Sequence, residues 1–571
     1  MAEGDIREQR PLERQIKPAS GRRRTPYAPK GRQPDPQAQD EIRALLGDRP
    51  RHRDLLIEHL HLIQDTHGCL AARHLQALAE EMRLPLAEVY EVASFYAHFD
   101  IVLDGESPPP EITIRVCDSI ACEMAGARDI LERLPQAVAD NVRVVRAPCM
   151  GRCDTAPVAE VGHHHVDAAT VESLVVAAEA GRTAPQVPAY ESCEDYAAGG
   201  GYALLRACLA GQRDPEAIVQ ALSDANLRGL GGAGFPAGKK WAITRQQRHP
   251  RYVAINADEG EPGTFKDRYF LEHEPHRFLE GVLVACWAVE AEACYIYLRD
   301  EYPFIHEILG RELARVRREG LNGGCELHLR RGAGAYICGE ESAMLESIEG
   351  KRGYPRHKPP FAAEVGLWGL PTLTHNVETM YWVRDIVERG PEWFAGHGRH
   401  GRTGLRAFSV SGRVKQPGVK IAPAGITMNE LIAEHCGGMA EGHAFKGYIP
   451  GGASGGILPA AMADIPLDFG TLEEHGCFIG SAAIVVLSDQ DDMRAVALNL
   501  MRFFEDESCG QCTPCRTGTE KAVKLLERGT WDEALLADLS RVMRDASICG
   551  LGQAAPNPVD CVLKYFPEDL R

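Results

Sequence analysis

Long apolar runs are missing from this sequence. None reaches the ~18 residues that a membrane-spanning helix requires, which excludes a helical span. An apolar signal-peptide core near the N-terminus is missing too, so we expect a cytoplasmic protein. A mitochondrial presequence would be poor in acids, yet Glu3, Asp5, Glu8 and Glu13 are present. Positive charge is also in short supply. The chain has 63 Lys and Arg against 81 Asp and Glu, a formal net charge of -18. Nucleic-acid binders usually present a basic face, so that partner is not expected. Cysteine, by contrast, is plentiful at 18 residues. In a cytoplasmic chain such thiols read better as metal ligands or core residues than as disulfides. The 571 residues leave room for roughly four domains, and a hydrophobic fraction of 44% is ordinary for a soluble protein.

Residues 1–36 are polar, contain proline and carry the basic run 22–24. They cannot build a core, and we expect a disordered or partner-wrapping tail. Residues 37–105 read as a small helical bundle. Leu56, Leu60 and Ile63 share one helical face, Leu75, Leu78, Ala79 and Met82 a second, and Val89, Val92, Ala93 and Tyr96 a third. No chemistry is visible there; packing or partner docking is the expectation. From 106 to 182 the period changes to two, with Ile112, Ile114 and Val116 on one strand face. A helix over 125–134, a strand over 142–145, a hairpin over 158–166 and a helix over 170–180 complete a small α/β unit. Cys117 and Cys122, then Cys149 and Cys153 after 26 intervening residues, fall in loops after strands. Four thiolates at one sheet edge suit a [2Fe–2S] cluster. A structural zinc is the alternative, though zinc more often uses C-x2-C knuckles. His163–His165 reads as an exposed hairpin tip rather than a ligand set. Residues 183–200 read as a linker.

Within residues 201–400 the stretch 227–241 holds five glycines, Gly229, Gly231, Gly232, Gly234 and Gly238. A backbone so bare lets a flat or phosphorylated ligand approach closely. Phe235 offers a ring face and Lys240 a cation. Gly229, Gly231 and Gly234 satisfy G-x-G-x-x-G, but that fingerprint should follow a strand. Here a helix over 217–225 precedes it, so an ordinary dinucleotide turn is rejected; a flexible loop is the alternative to a cofactor loop. A strand over 252–255 ends in Asn256 and the acids Asp258, Glu259 and Glu261, which could accept from ribityl or ribose hydroxyls. A surface acidic turn is the alternative. A second Gly-bearing turn runs from 332 to 342 through Tyr336, Gly339, Glu340 and Glu341. Lys358 and Phe361 sit on a Pro-rich arm, and 374–379 adds polar donors at a helix start. Alternating strands and helices imply a doubly wound sheet. Residues 401–490 read as a small α+β domain. Residues 491–571 are helical and hold Cys509, Cys512 and Cys515 at spacing three, with Cys549 after 33 further residues. That pattern is strong for [4Fe–4S].

These motifs, in this order, resemble the NADH-oxidising flavoprotein of respiratory complex I, with the small thioredoxin-like [2Fe–2S] protein of that complex fused ahead of it. The resemblance spans roughly residues 40–571. It implies a thioredoxin-like domain, a Rossmann-like FMN/NAD domain, a ubiquitin-like α+β domain and a C-terminal helical bundle. It places FMN against Gly229, Gly231, Gly232, Lys240, Asn256, Asp258, Tyr336, Gly339, Glu340, Asn376 and Thr379. NAD(H) would stack on Phe235 and Phe361, with Lys358 nearby and with Glu261 and Glu341 positioning hydride transfer. Gly234, Glu259 and His375 complete the implied cofactor-binding set. Leu230 stands where the family commonly has Arg, and His375 where it commonly has Asn. The fused arrangement resembles the beta subunit of cytoplasmic NAD-dependent formate dehydrogenases that carry molybdenum or tungsten. It is also similar to the diaphorase subunit of soluble NAD-reducing hydrogenases. The Leu230 form of the loop and the length favour formate dehydrogenase. No pterin–metal site is visible, so a partner alpha subunit must activate formate in a hetero-oligomer. The implied path runs from that metal site through [4Fe–4S] to FMN and, as hydride, to NAD+. A non-catalytic zinc-stapled scaffold is the rival; iron near six atoms per chain would separate the two.

Overall fold

The computed structural model describes residues 32–570. Nearly all of the expected tail therefore lies outside the described residues. No helix among those described is long and apolar enough to cross a membrane.

The N-terminal bundle comprises the helices Pro36–Leu46, Leu56–His67, Ala72–Met82 and Leu86–Ala93. Asp35 caps the first by accepting from the Gln37 N–H, and a proline occupies its first turn, where a missing N–H costs little. The anticipated stripes are buried, including Leu56, Leu60, Ile63, Leu75, Leu78 and Val89. The bundle does not stand apart. The buried Tyr96 hydroxyl lies 2.8 Å from both Ser347 Oγ and the Lys351 carbonyl.

The next unit is a four-stranded sheet in the order Val142–Ala147, Ile112–Cys117, Ala159–Val161, His164–Val166. The first pair is parallel and the others antiparallel. Its register sets Cys117 opposite Ala147. Cys117 thus ends its strand and Cys122 sits in the short helix Ile120–Met124 that follows, not in loops as expected, while Cys149 follows the paired strand at the same end of the sheet. The single helix expected over 125–134 is instead two, Ile120–Met124 and Ala127–Arg133. Gly126 separates them at φ +96°, a left-handed geometry that glycine adopts without steric cost. The expected linker holds a helix, Cys193–Ala198, whose Cys193 and Tyr196 are buried in the core of the following domain. The hairpin at His163–His165 is not an exposed tip. His165 packs edge-on against Phe304, ring centroids 5.9 Å apart.

The central domain carries a fully parallel sheet in the order Thr372–Asn376, Arg251–Ala257, Ala291–Leu298, Glu326–Arg331. Both faces are covered, as parallel sheets require. Val253, Ile255, Cys294 and Ile296 face one core, while Ala254, Tyr295 and Tyr297 face another. Residues 405–488 form a five-stranded mixed sheet with the helix Met428–His435. The helices Met493–Asp506, Thr513–Leu526, Glu533–Ala546 and Asn557–Tyr565 follow.

Candidate functional site

The glycine-rich loop is ordered, not a flexible tether. The Gly229 N–H donates to the Phe235 carbonyl at 2.8 Å, and the Gly234 N–H to the Gly229 carbonyl at 3.2 Å. The Leu230 N–H donates to Thr379 Oγ1 at 2.9 Å, so the loop is pinned to the helix Val377–Tyr381 that follows the edge strand. Gly231 lies so near Asn376 that a Cβ on it would stand 2.9 Å from the Asn376 Cβ. Ligands in open α/β sheets bind beyond the carboxyl ends of the strands, and three more loops gather there. Asn256 Nδ2 donates to the Gly339 carbonyl at 2.8 Å, and Asn256 Oδ1 accepts from the Asp258 N–H at 3.0 Å. Lys240 donates to Glu341 at 2.7 Å and to Thr374 Oγ1 at 2.6 Å. Lys358 reaches Glu340 at 2.7 Å and Glu341 at 3.6 Å. Glu340 also caps its helix by accepting from the Ser342 and Ala343 N–H groups at 2.9 and 3.0 Å. Burial pushes the Glu341 carboxyl up, but Lys240, Thr374 and Lys358 outweigh it and bring it down to about 2.

Two observations test this surface as a flavin and nucleotide site. Asp258 Oδ2 is buried with no partner, and burial raises its carboxyl well above the ordinary range. An orphan acceptor beside close-approach glycines fits a ligand with N–H or hydroxyl donors and a flat ring. Phe235 and Phe361 also stand 42% and 55% exposed, which suits stacking.

Some expected contacts are engaged elsewhere. Glu259 accepts from the Asp267 and Arg268 N–H groups at 2.8 and 2.9 Å and from the Tyr302 hydroxyl at 2.9 Å. It braces the start of the helix Lys266–His273 and has no oxygen turned to a ligand. Burial raises it to about 7. His375 is buried and accepts from the Trp241 indole N–H at 2.9 Å through Nε2. Burial, aided by Lys240, holds its ring neutral, and its Nε2 is taken by the Trp241 indole. Glu261 is held by Ser454 and Ser481; the Ser454 N–H donates to it at 3.0 Å and the Ser481 hydroxyl at 3.0 Å.

Sequence reasoning missed Lys266, which is 1% exposed. Its ammonium lies 2.8 Å from Asp267, 3.0 Å from Glu378 and 3.2 Å from Asn376 Oδ1. Burial opposes that charge, yet the two carboxylates hold it above its ordinary value. The Lys-Asp pair opening a helix was the available signal. Glu507 was missed as well; it accepts from the Tyr336 N–H at 2.9 Å.

Both cysteine quartets assemble. Cys117, Cys122, Cys149 and Cys153 are all buried, with the Cys149 and Cys153 sulfurs 3.4 Å apart. The Cys122 and Cys149 thiols beside Cys117 push it up, while Cys117 and Cys153 pull Cys149 down. Cys512 and Cys549 are the N-cap residues of the helices Thr513–Leu526 and Gly550–Ala554. A Cβ on Gly552 would stand 2.8 Å from the Cys515 Cβ, so this corner of the quartet closes only over glycine. Burial pushes Cys515 to about 12 and Cys549 to about 11. Buried thiols that resist ionisation are poor free thiolates and good ligands, since a bound cation holds them deprotonated. Both donor sets fit iron–sulfur clusters.

The loops and the two quartets define a class: a flavin-dependent, nucleotide-linked electron-transfer protein. Comparison with known proteins agrees. The Nuo51 FMN-binding domain family model matches residues 222–385. The thioredoxin-like [2Fe–2S] ferredoxin model matches 42–180, and the NADH-ubiquinone oxidoreductase-F iron–sulfur binding region matches 495–571. An NADH-quinone oxidoreductase subunit of Rhizobium meliloti is 42% identical over 399 residues, covering 67% of this chain and 94% of its own. The NADH-quinone oxidoreductase counterpart of Aquifex aeolicus is 40% identical over 396 residues, covering 67% and 91%. The crystal structure of an NAD+-reducing [NiFe]-hydrogenase in the H2-reduced state aligns with a TM-score of 0.80 at 32% identity, over 91% of this chain and 93% of that one. The chain belongs to the complex I 51-kDa family of NADH–FMN oxidoreductase subunits, with a thioredoxin-like [2Fe–2S] region fused ahead of it and a [4Fe–4S] region behind. It is a diaphorase-type electron-transfer subunit, and the zinc-stapled scaffold gives way to a protein with a thioredoxin-like [2Fe–2S] region and a C-terminal iron–sulfur binding region.

Proposed function

We propose that this chain is the NAD(H)-facing diaphorase subunit of a cytoplasmic NAD-dependent formate dehydrogenase, working with an alpha subunit that holds a molybdenum- or tungsten-pterin site. The observation that carries the reading is the joining in one fold of a flavin-type pocket with two thiol quartets, beside a loop with leucine at 230. When bound, FMN supplies exchange between the hydride of a nicotinamide and the single electrons of iron–sulfur clusters. The chain's own residues set geometry. The backbone at Gly229, Gly231 and Gly232, with Asn256, Asp258, Tyr336, Gly339, Asn376 and Thr379, seats the flavin. Phe235 and Phe361 sandwich the nucleotide, and Lys358 with Glu341 fixes its polar end, while Glu340 belongs with the flavin seat. Glu261 and Glu341 act by orientation, the part of catalysis that placement supplies. Cys117, Cys122, Cys149 and Cys153 hold [2Fe–2S]; Cys509, Cys512, Cys515 and Cys549 hold [4Fe–4S]. Cys509 also borders a cleft of about 1000 Å³ shared with the first bundle and the thioredoxin-like unit.

The near-full-length match to an NAD+-reducing hydrogenase chain supports a second reading, a diaphorase paired with a hydrogenase. Assay of the purified complex decides. NAD+ reduction with formate and not with hydrogen supports the first reading; the reverse result replaces it with the second.

A further inference from the structure

The N-terminal bundle shows no chemistry in its sequence, yet its inner end carries a set of metal-type donors. His61 and Asp65 are four residues apart on the helix Leu56–His67, which puts them on one face. His98, from the segment leaving the bundle, meets them there. One ring nitrogen from each histidine and a carboxylate oxygen of Asp65 all lie within 4.8 Å of one another. The hydrogen bonds say which nitrogens face inward. His61 Nε2 is bonded to the Gly332 carbonyl at 2.8 Å, and His98 Nδ1 lies 2.6 Å from Asp300 Oδ2. The other two, His61 Nδ1 and His98 Nε2, are buried with no partner. The His61 residue is 3% exposed and the His98 side chain 7%.

This is the arrangement in which a metal-ligating histidine gives its outer N–H to a carbonyl or carboxylate and points its lone pair at the ion. Arg331 bonds Asp300 Oδ1 at 2.6 Å and Asp65 Oδ2 at 2.7 Å, leaving Asp65 Oδ1 for the ion. We propose that His61, His98 and Asp65 bind a divalent transition-metal ion of the zinc class, completed by water, at the end of the first bundle that meets the central domain. Two imidazoles and one carboxylate suit zinc rather than calcium or magnesium, which prefer all-oxygen sites. Bonds of ~2.0–2.2 Å need only a small closure of the three side chains. The three donors include none of the eight quartet cysteines.

The test uses the whole chain with its flavin and clusters in place. The protein is stripped of loosely held metal with a chelator and dialysed against buffered Zn2+. Zinc, iron and FMN are then counted, and affinity is measured by titration calorimetry. The wild type is expected to retain one zinc per chain, with iron and FMN unchanged, and to gain thermal stability on zinc addition. Asp65→Asn removes the anionic ligand but otherwise disturbs only a part-exposed ion pair, so folding is retained. It is expected to weaken zinc at least ~10-fold and to lose the stability gain, while NADH–dye activity stays unchanged. Asp65→His replaces one ligand with another and is expected to restore binding. Equal zinc retention by the wild type and Asp65→Asn, or none by the wild type, overturns the proposal.

Discussion

Replacing Gly231 by alanine tests whether the close approach of the glycine loop to Asn376 is part of the flavin site. The added Cβ would stand 2.9 Å from the Asn376 Cβ and 3.3 Å from its Cγ, against 3.4 Å or more for ordinary contact. Asn376 cannot swing aside cheaply. Its Nδ2 donates to Asp267 at 2.5 Å, and its Oδ1 accepts from Lys266 at 3.2 Å and from the Glu378 N–H at 3.0 Å. The loop backbone must yield instead. Overpacking of this kind costs about 1–3 kcal/mol. At 1.4 kcal/mol per decade, the same displacement falling on bound FMN weakens it by ~5–150-fold. Gly229→Ala is the control, because its Cβ would meet the Phe235 carbonyl at 3.5 Å, an ordinary contact. It should fold as well as the wild type or gain the ~0.4–1 kcal/mol that a tolerated Gly→Ala change brings through the unfolded chain. FMN affinity is read from flavin fluorescence on titration into the deflavinated protein, and folding from thermal unfolding of the same samples. If Gly231→Ala binds FMN within twofold of the wild type, the juxtaposition of 231 and 376 does not form the flavin seat.

Lys240→Gln removes the nearest cation from Glu341, which Lys240 and its neighbours hold at about 2 against an ordinary 4.5. The carboxylate's contribution is present above 4.5 and lost only as pH falls toward 2. With its strongest opposing partner removed, the carboxyl should titrate higher than in the wild type, and NADH–dye activity should gain an acid limb that the wild type lacks; identical pH profiles would exclude this role. His165 is held at about 4 against an ordinary 6.5 by burial beside Phe304. The neutral ring therefore stabilises the fold above 6.5, and that stability is lost as pH falls from 6.5 toward 4, by up to ~3 kcal/mol. Thermal unfolding at pH 7 and pH 5 should show this fall in the wild type and a smaller one in His165→Phe. Arg299→Lys removes the fork that donates to the Glu259 carbonyl at 2.5 Å and the Cys149 carbonyl at 2.6 Å. Charged hydrogen bonds carry about 1.5–3 kcal/mol each, so both flavin retention and the [2Fe–2S] electron-spin signal should change; a change in neither sinks the coupling.

What could be read beforehand was what repeats locally or clusters in type. The stripes of 56–63 and 75–82, the strand after Arg251 and the spacing of Cys509, Cys512 and Cys515 all announce themselves within a few residues. Gly126 could not be recognised as a break, because a glycine inside a helical pattern is tolerated as often as it interrupts. The helix Cys193–Ala198 hid in Ala- and Gly-rich sequence, and only burial of Cys193 and Tyr196 against the central domain defines it. At the site, glycines and acids were legible as ligand types, but direction was not. Glu259 and Glu261 are two positions apart, yet one turns to backbone N–H groups at 267 and 268 while the other turns to Ser454. That choice is made by closures across 193 residues for Ser454 and 171 for Glu507, which no local pattern encodes.

Those closures also bear on why the cluster-bearing unit is more than a passenger. Cys149 and Cys153 pack with Phe265 of the central domain. Gly151 between them lies so close to Tyr302 that a Cβ there would stand 2.0 Å from the tyrosine oxygen, and the same hydroxyl donates to Glu259 at 2.9 Å. Arg268 reaches Asp154, beside Cys153, at 2.8 Å. Arg299 bonds the carbonyls of Cys149 and Glu259 together, so one guanidinium serves the first thiol quartet and the acidic flavin-type loop at once. A tethered domain free to swing would leave the interval between these sites variable. Here the interval is held by buried charge pairs and by a glycine that no other residue can replace without moving Tyr302. Such bracing suits a chain whose sites exchange electrons, because it keeps their separation constant without relying on the connecting segment at 183–192.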